Sequence, residues 1–562
     1  MAFDLVIRGA RIVDGTGAPE YRADLGVRGE RIAAIGSVEG EAERSIDAEG
    51  LVLAPGFIDV HTHYDVQLDW DPIVSPSSWH GVTTVLAGNC GFTLAPAKPE
   101  DVDWLAGMLS RVEGMSREAL NEGLQFQGGS FGDYWKRFDG KLGINVGSYV
   151  GHSAVRRYVM GESASERVAM PEEIEAMKEL VRAGMREGAI GFSTSQVELH
   201  VGEDGREVPS NHATPEEIIA LSSVMAEFDH GAIEFITRTF THGYDETDRA
   251  MVLEMARVSG CPIELGPLTP NRDDPMGWQR TLEWIQEAAK EGVQLHPQFM
   301  TNRAGFYLKL SDCFAFDDLL TWREVLCLPE PERSNRLRDP EVRKQLQAEW
   351  DSPEAGTTGI DWSQLEVLSV RKSENRVWIG KTVGEMAEER GASLLDTFLD
   401  VCLAEDLDGW WTLRQNPEMD QFFNSITRQA IGVPQVMSGS SDGGAHLASF
   451  VGVDYTTRLI TDWVPDVLTL EQAIYRLSGQ PAEVHGLRDR GVIREGAFAD
   501  LVLIDLDRLR VGETYQKADF PGRSERFVTD AEGYVATIVA GQVALENGKD
   551  TGARPGHVIR GC

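Results

Sequence analysis

Two histidines separated by one threonine, His61 and His63, end the apolar run APGFIDVHTHYD. On an extended strand, residues two apart project from the same side, so both imidazoles face one way and Thr62 the other. Imidazole nitrogen suits zinc and similar divalent ions, and a strand end that presents two of them supplies half of a metal site. The same spacing occurs in ordinary turns, so the pair alone is consistent with either. What the rest of the chain brings to it decides.

Eight short, apolar, β-branched runs alternate with helical stretches: GFIDVHTH, GVTTVLAG (81–88), GINVGSYVG (143–151), GAIGFSTS (188–195), AIEFITRT (232–239), CPIELGP (261–267), GVQLHPQ (292–298) and PQVMSGSSD (434–442). This alternation predicts βα units and a parallel sheet, and eight of them predict an α/β fold of the (β/α)8 TIM-barrel type, with reactive groups at the strand C-terminal ends. A helix is predicted over 214–228, capped by Thr214, with Pro215 in its first turn and acidic residues beside its positive end. Short β-rich runs and turns fill the first 50 or so residues and return in GAFADLVLIDLD and GYVATIVAGQVALENG, where Ala540-Gly541 predicts a hairpin turn. A small β-sandwich domain built from both ends, residues 1–56 and 486–562, thus flanks a barrel at 57–485. The stretch from about 300 to 430 is too long for one crossover and reads as a partly helical insertion of the kind that covers barrel sites, DPEVRKQLQAEW being its clearest helix. Its aromatic runs GFYLKLSDCFAF and DGWWTLRQNPEMDQFFNS either wall a pocket for an apolar or aryl amide or fill the insertion's own core.

The 562 residues suffice for a large core and more than one domain. With 53 Lys+Arg against 90 Asp+Glu, the net charge of −37 argues against nucleic-acid and anionic-membrane partners. Six dispersed cysteines without a CxxC give no disulfide framework or zinc knuckle, which fits a reducing cytoplasm. No export signal or run of about 18 apolar residues is evident.

In their order, LAPGFIDVHTHYD, GVTTVLAGNCGFTLAP, SDGGAH and GVIREGAFADLVLID resemble the amidohydrolase superfamily. GNCGFTLAP, VGHSAVR, GAIGFSTS and NHATPEEI resemble its D-aminoacylase (N-acyl-D-amino-acid deacylase) branch, and the likeness spans nearly the whole chain apart from the insertion. It implies a metal-dependent hydrolase of a non-peptide amide bond, with zinc as the expected ion, a small-molecule amide as substrate and a homo-oligomeric assembly. By that resemblance His61 and His63 are metal ligands. Cys90, in GNCGF after the second strand, matches a cysteine ligand that takes the place of the carboxylated lysine of hydantoinases; the fourth strand GAIGFSTS indeed ends without lysine. Read as a lone cysteine, Cys90 is also consistent with an inert buried thiol. Asp442, in SGSSDGGAH, matches the aspartate that binds metal and shuttles the proton, although Asp-Gly by itself is a common turn.

The chain departs from the branch in three places. Thr237 or Arg238 stands where the fifth strand should end in a histidine, and Gly266 or Pro267 where the sixth should. The arginine expected to grip a substrate carboxylate soon after Asp442 is missing, the first one being Arg458. His296, in QLHPQ, is a candidate ligand or general acid, and His152, in GHS, a candidate for binding or polarising substrate; a hydrogen-bonded loop histidine is the alternative for each. Arg238, Arg303 and Arg371 are candidate substitutes for the clamp, while His212 and His242 read as structural. Two other functions stay open: hydrolysis of a cyclic amide, ester or lactone on the same fold, and a scaffold that has lost catalysis.

Overall fold

The computed structural model describes residues 2–269, 271, 274–301, 305–311, 313, 315–317, 319–351, 361–414, 416–446 and 450–561. Five strands open the chain: β1 (Phe3–Ile12), β2 (Tyr21–Arg28), β3 (Arg31–Gly36), β4 (Ala42–Asp47) and β5 (Val52–Pro55). Strands β6 (Phe57–Asp59), β7 (Val82–Ala87), β8 (Asn145–Ser148), β9 (Val150–Gly151), β10 (Gly191–Ser195), β11 (Ala232–Ile236), β12 (Ile263–Leu265) and β13 (Leu295–Phe299) follow, largely alternating with helices. The insertion contributes β14 (Gly305–Leu308), β15 (Leu365–Ser369) and β16 (Trp410–Leu413), after which come β17 (Met437–Ser438) and β18 (Phe450–Val451). The chain finishes with β19 (Leu501–Ile504), β20 (Arg510–Lys517), β21 (Arg526–Glu532), β22 (Tyr534–Val539), β23 (Gln542–Glu546) and β24 (Lys549–Asp550).

Each of the eight apolar runs carries a strand. They pair in parallel as two sheets, β6-β7-β8 and β17-β13-β12-β11-β10-β9, the third run being split at Tyr149. Every residue of β7, β10 and β11 is buried, as in parallel sheets covered on both faces, which is why these runs, Glu234 apart, are apolar or small instead of alternating. At the outer edges, Asp442 N donates to His61 O at 3.1 Å and His63 N donates to Gly443 O at 2.7 Å. The predicted helix after Thr214 runs from Pro215 to Ser222 and tightens into a 3-10 turn through Glu227, with the Thr214 side chain accepting from Glu217 N.

Strands from both chain ends share one nine-stranded sheet, ordered β24-β23-β22-β19-β5-β1-β2-β3 with β4 on β1. The seam is β5, parallel to β1 and antiparallel to β19. Its apolar residues, among them Leu5, Leu25, Leu53, Leu501 and Ile538, form a core of their own. Ala540 and Gly541 join β22 to β23 with φ of 44° and 79°, the left-handed pair that suits a two-residue hairpin.

The insertion contributes three strands of a four-stranded sheet, β15-β16-β14-β18, which β18 from beyond it completes, and helices that include the predicted Pro340–Trp350. Its core is separate, and aromatic: Phe316 stacks on Trp322 at 4.1 Å and on Trp362 at 4.6 Å, with Trp350, Phe398 and Trp411 around them. These rings fill the insertion itself. Arg111 reaches across to the buried Asp317 with two hydrogen bonds and joins the helix Val102–Val112 to it. No helix among the described residues is long and apolar enough to cross a membrane.

Candidate metal centre

The extended chain beyond β6 carries His61 and His63 side by side, while Thr62 turns the other way and donates from Oγ1 to Leu86 O. The next strand, β7, ends in a tight turn in which Gly88 and Gly91 have φ of 75° and 77°. A side chain on Gly91 would meet the backbone of Thr194 at 3.1 Å, so the loop needs glycine there to lie against β10. Cys90 between them is itself left-handed, φ 57°, a conformation held by its N–H donating to Glu234 Oε2 at 2.7 Å and its carbonyl accepting from Ser195 Oγ at 2.8 Å. This aims Cys90 Sγ at His61 Nε2, 3.3 Å away, and at His63 Nε2, 3.9 Å away. Asp442, beyond β17 and also left-handed, places Oδ1 3.6 Å from His61 Nε2 and 3.1 Å from His63 Nε2. Cys90 and Asp442 thus each reach both imidazoles of the His61–His63 pair.

Around them stand residues that the sequence did not single out. Glu113 caps the helix Val102–Val112 and sets Oε1 3.4 Å from His63 Nδ1. His446, four residues past Asp442, lies 3.6 Å from Asp442 Oδ2 and 3.8 Å from Glu113 Oε2. Glu234, on β11, faces His61 Nδ1 at 4.0 Å, and neither Glu234 Oε1 nor His61 Nδ1 has a hydrogen-bond partner among the described residues. His200 is held by Ser195 Oγ at 3.1 Å near the same cluster. On β12, Glu264 accepts from Gln298 Nε2, Tyr149 O–H and His485 Nε2, so its carboxylate is fully engaged. The fifth and sixth strands therefore contribute glutamates, not histidines, to the interior.

Electrostatics follow from this enclosure. Burial pushes the Cys90 thiol well above its usual range, and the carboxylates of Glu234, Glu113 and Asp442 push it further. Burial brings His61 down to about 4. For His63 the same burial is outweighed by Glu113, Asp442 and Asp65, which together hold it up to about 9. Burial works against ionised Asp442 as well, yet His63, His446 and His61 keep it below the ordinary carboxylate range.

The remaining candidates lie apart from the cluster. His152 begins the helix His152–Met160, fully buried, with Nδ1 at 2.7 Å from Thr194 Oγ1 and Nε2 at 2.9 Å from Glu217 Oε1. His296 is the second residue of β13, at the start of the strand instead of its end, with Nδ1 on Gln435 O at 3.2 Å. Arg238 is exposed in the turn after β11 and forms no ion pair among the described residues, whereas Arg371 is paired with Asp408. Arg458 is committed to Asp454 at 2.7 Å, and Arg303 lies outside the described residues. His212 and His242 occupy short 3-10 turns, neither in reach of the cluster.

The model of the amidohydrolase family matches residues 44–301 and 370–545, well over half of the chain. A D-aminoacylase of Alcaligenes xylosoxydans xylosoxydans is 29% identical over 574 residues, with 99% of this chain and 97% of that protein covered. An N-acyl-D-glutamate deacylase of the same organism is 28% identical, covering 90% and 88%. A D-aminoacylase structure that addresses that enzyme's binuclear metal centre is 25% identical with a TM-score of 0.67, over 99% of this chain and all of that one. With the family matched across both halves and deacylases aligned along almost the full length, the chain belongs to the amidohydrolase family as a divergent member of its D-aminoacylase branch.

Proposed function

We propose that this protein is a metal-dependent hydrolase of a non-peptide amide bond, its substrate a small N-acyl amino acid or related amide. The observation that carries the site assignment is that Cys90 Sγ and Asp442 Oδ1 each lie 3.1 to 3.9 Å from both His61 Nε2 and His63 Nε2. Donors at roughly 2.0–2.3 Å from a tetrahedral ion stand about 3.3–3.8 Å apart, so these four contacts suit a zinc-sized divalent cation. The unpartnered, buried Nδ1 of His61 and Oε1 of Glu234 fit the same reading, since a carboxylate behind a ligating imidazole fixes its orientation. When bound, the ion supplies Lewis acidity toward water and toward the amide carbonyl.

Asp442 does the proton work in this reading. Its side chain is 20% exposed where those of His61 and His63 are 3% and 2%, so it is the member of the cluster open to substrate. With Oδ1 against the histidines, Oδ2 takes the proton of the attacking water and returns it to the departing nitrogen. Arg238, which lies in the turn after β11 and forms no ion pair among the described residues, is the candidate to grip a substrate carboxylate. His152 and His296 act in this reading by holding their loops rather than by touching substrate. The commitment of Arg458 to Asp454 favours a second reading on the same site, a neutral cyclic amide, ester or lactone that needs no carboxylate clamp.

The same proposal takes the two parallel sheets as one closed (β/α)8 barrel, supported by the hydrogen bonds between Asp442 and His61 and between His63 and Gly443, and by Ile190 N donating to Ser148 O at 2.9 Å. It takes residues 1–56 and 486–562 as a β-sandwich domain, and it includes a homo-oligomer in a reducing cytoplasm. Asp442→Asn is the direct test, because asparagine tolerates the left-handed backbone at this position. The variant is expected to melt within a few degrees of the parent and to lose about 100-fold or more in kcat on acyl-amino-acid substrates. Retention of most turnover would overturn the assignment.

A further inference from the structure

Ser195 closes β10, and its single hydroxyl proton goes to Cys90 O, 2.8 Å away. The 3.1 Å contact between Ser195 Oγ and His200 Nδ1 therefore runs the other way, with Nδ1–H as donor and the serine oxygen as acceptor. Burial brings the His200 ring down to about 3, so near neutral pH it carries that one proton and no charge. The fold thus fixes the tautomer and leaves Nε2 as a lone pair, an acceptor and never a donor. Nε2 forms no hydrogen bond among the described residues.

This lone pair belongs to the reaction centre. After burial, the groups that act most on His200 are His446, His63, Asp442 and His61, which are residues of the metal cluster and its rim. Phe92, two residues past Cys90, meets the ring edge-on with centroids 5.0 Å apart. Nδ1 is spent on the strand end, so Nε2, on the opposite edge of the ring, faces away from it. The ring is also held in place. His200 opens a hairpin in which Val208 N donates to His200 O at 3.0 Å and Gly202 N to Arg206 O at 2.8 Å. That hairpin is braced on the helix Val102–Val112, where Trp104 Nε1 donates to Asp204 Oδ2 at 3.2 Å, and the same helix brings Glu113 to His63.

Chemistry narrows what a fixed, neutral acceptor takes. The scissile carbonyl and the carboxylate of an N-acyl amino acid are acceptors themselves, and the one donor of its backbone is the amide N–H. An ester or lactone of the same shape puts an oxygen lone pair where that N–H would be, so that two lone pairs face each other and both go unpaired. We propose that His200 Nε2 accepts the N–H of the scissile amide, and that this contact sets a preference for amides over esters and lactones. The proposal rests on the reading of the metal centre given above.

The experiment compares matched substrates. N-acetyl-leucine, N-acetyl-phenylalanine and N-acetyl-glutamate, in D and L forms, are offered to the metal-loaded, full-length protein, each beside the O-acetyl α-hydroxy acid in which oxygen replaces N–H. Two variants split the imidazole. His200→Asn keeps a donor in the place of Nδ1 and so the bond to Ser195, but has nothing at Nε2; His200→Gln carries an acceptor oxygen out to the place of Nε2. His200→Asn is expected to lower kcat/KM on the amide by about 10- to 100-fold and to leave the matched ester within about 3-fold, while His200→Gln keeps most of the amide rate. Metal content per chain and melting curves should match wild type in both. The reverse order, with Asn active and Gln impaired on both substrates, overturns the proposal, because His200 then serves only to hold Ser195. An equal loss on amide and ester in His200→Asn, or loss of metal from it, overturns it as well and leaves the hydrolase standing. A wild type that cleaves the esters and none of the amides also overturns it. A metal-loaded wild type that cleaves neither removes the proposed function itself, and this contact with it.

Discussion

Cys90 and His63 hold protons that a metal must displace. Burial, reinforced by Glu234, Glu113 and Asp442, keeps the thiol protonated well above neutral pH, and the carboxylates around His63 hold it up to about 9. His61, at about 4, is already neutral above pH 6 and adds nothing. Because only the deprotonated forms ligate, apparent metal affinity rises with pH: one proton leaves Cys90 and one leaves His63, so the logarithm of the association constant should climb with a slope near 2 between about pH 6 and 8. In Cys90→Ser the slope should drop toward 1, as a competition titration against a metal-sensitive dye at several pH values will read; a flat profile in wild type contradicts the thiolate assignment. At this scale the sequence was legible where a residue closes a strand, as His61, His63, Cys90 and Asp442 do, since periodicity and motif point to the same spot. Glu113, Glu234 and His446 were not. Glu113 ends a helix whose docking nothing in RVEGM announces, and Glu234 sits inside an apolar run that reads as core. His446 stood in view four residues after Asp442 in SDGGAH, a spacing that the loop, not a helix, turns toward the metal side.

The element that places Cys90 is the turn after β7, and its geometry depends on Gly91. At φ 77°, with the backbone of Thr194 at 3.1 Å and Ser193 O at 3.3 Å from any added methyl group, Gly91→Ala meets both backbone strain and immovable neighbours. We expect it to cost about 1–3 kcal/mol of stability and to move Cys90 off the histidines, so that metal content falls more steeply than the melting temperature. A variant with parental metal content would show that the loop tolerates the displacement. Elements were the most readable level of this chain: every one of the eight apolar runs holds a strand, and Thr214 and Asp339 cap the helices that they were expected to begin. The side-chain partner of Tyr149, where the third strand is split, was hidden because it is distant. The Tyr149 hydroxyl donates to Glu264 two strands beyond β10, a contact that no local pattern encodes.

For the whole molecule the dominant quantity is a net charge of −37, spread over a surface through which substrate must pass. The family fold was legible because strand order and end motifs survive divergence, whereas substrate choice was not, since it depends on single side chains in turns and on an insertion with its own aromatic core. Charge offers a way to read that choice from outside the site. An N-acyl amino acid carries a carboxylate and is repelled during approach, an effect that extends over roughly 30 Å at 0.01 M salt and about 8 Å at 0.15 M. Raising salt across that range should therefore increase kcat/KM for an acyl-amino-acid substrate by roughly several-fold. A neutral lactone or cyclic amide feels no such field, and its kcat/KM should stay level. If Arg238 grips the carboxylate, screening also weakens that contact, so Arg238→Met should steepen the salt-dependent rise while lowering kcat/KM throughout. A fall in kcat/KM with salt for the anionic substrate in the Arg238→Met variant would mean that a second cation, not the net field, governs its capture.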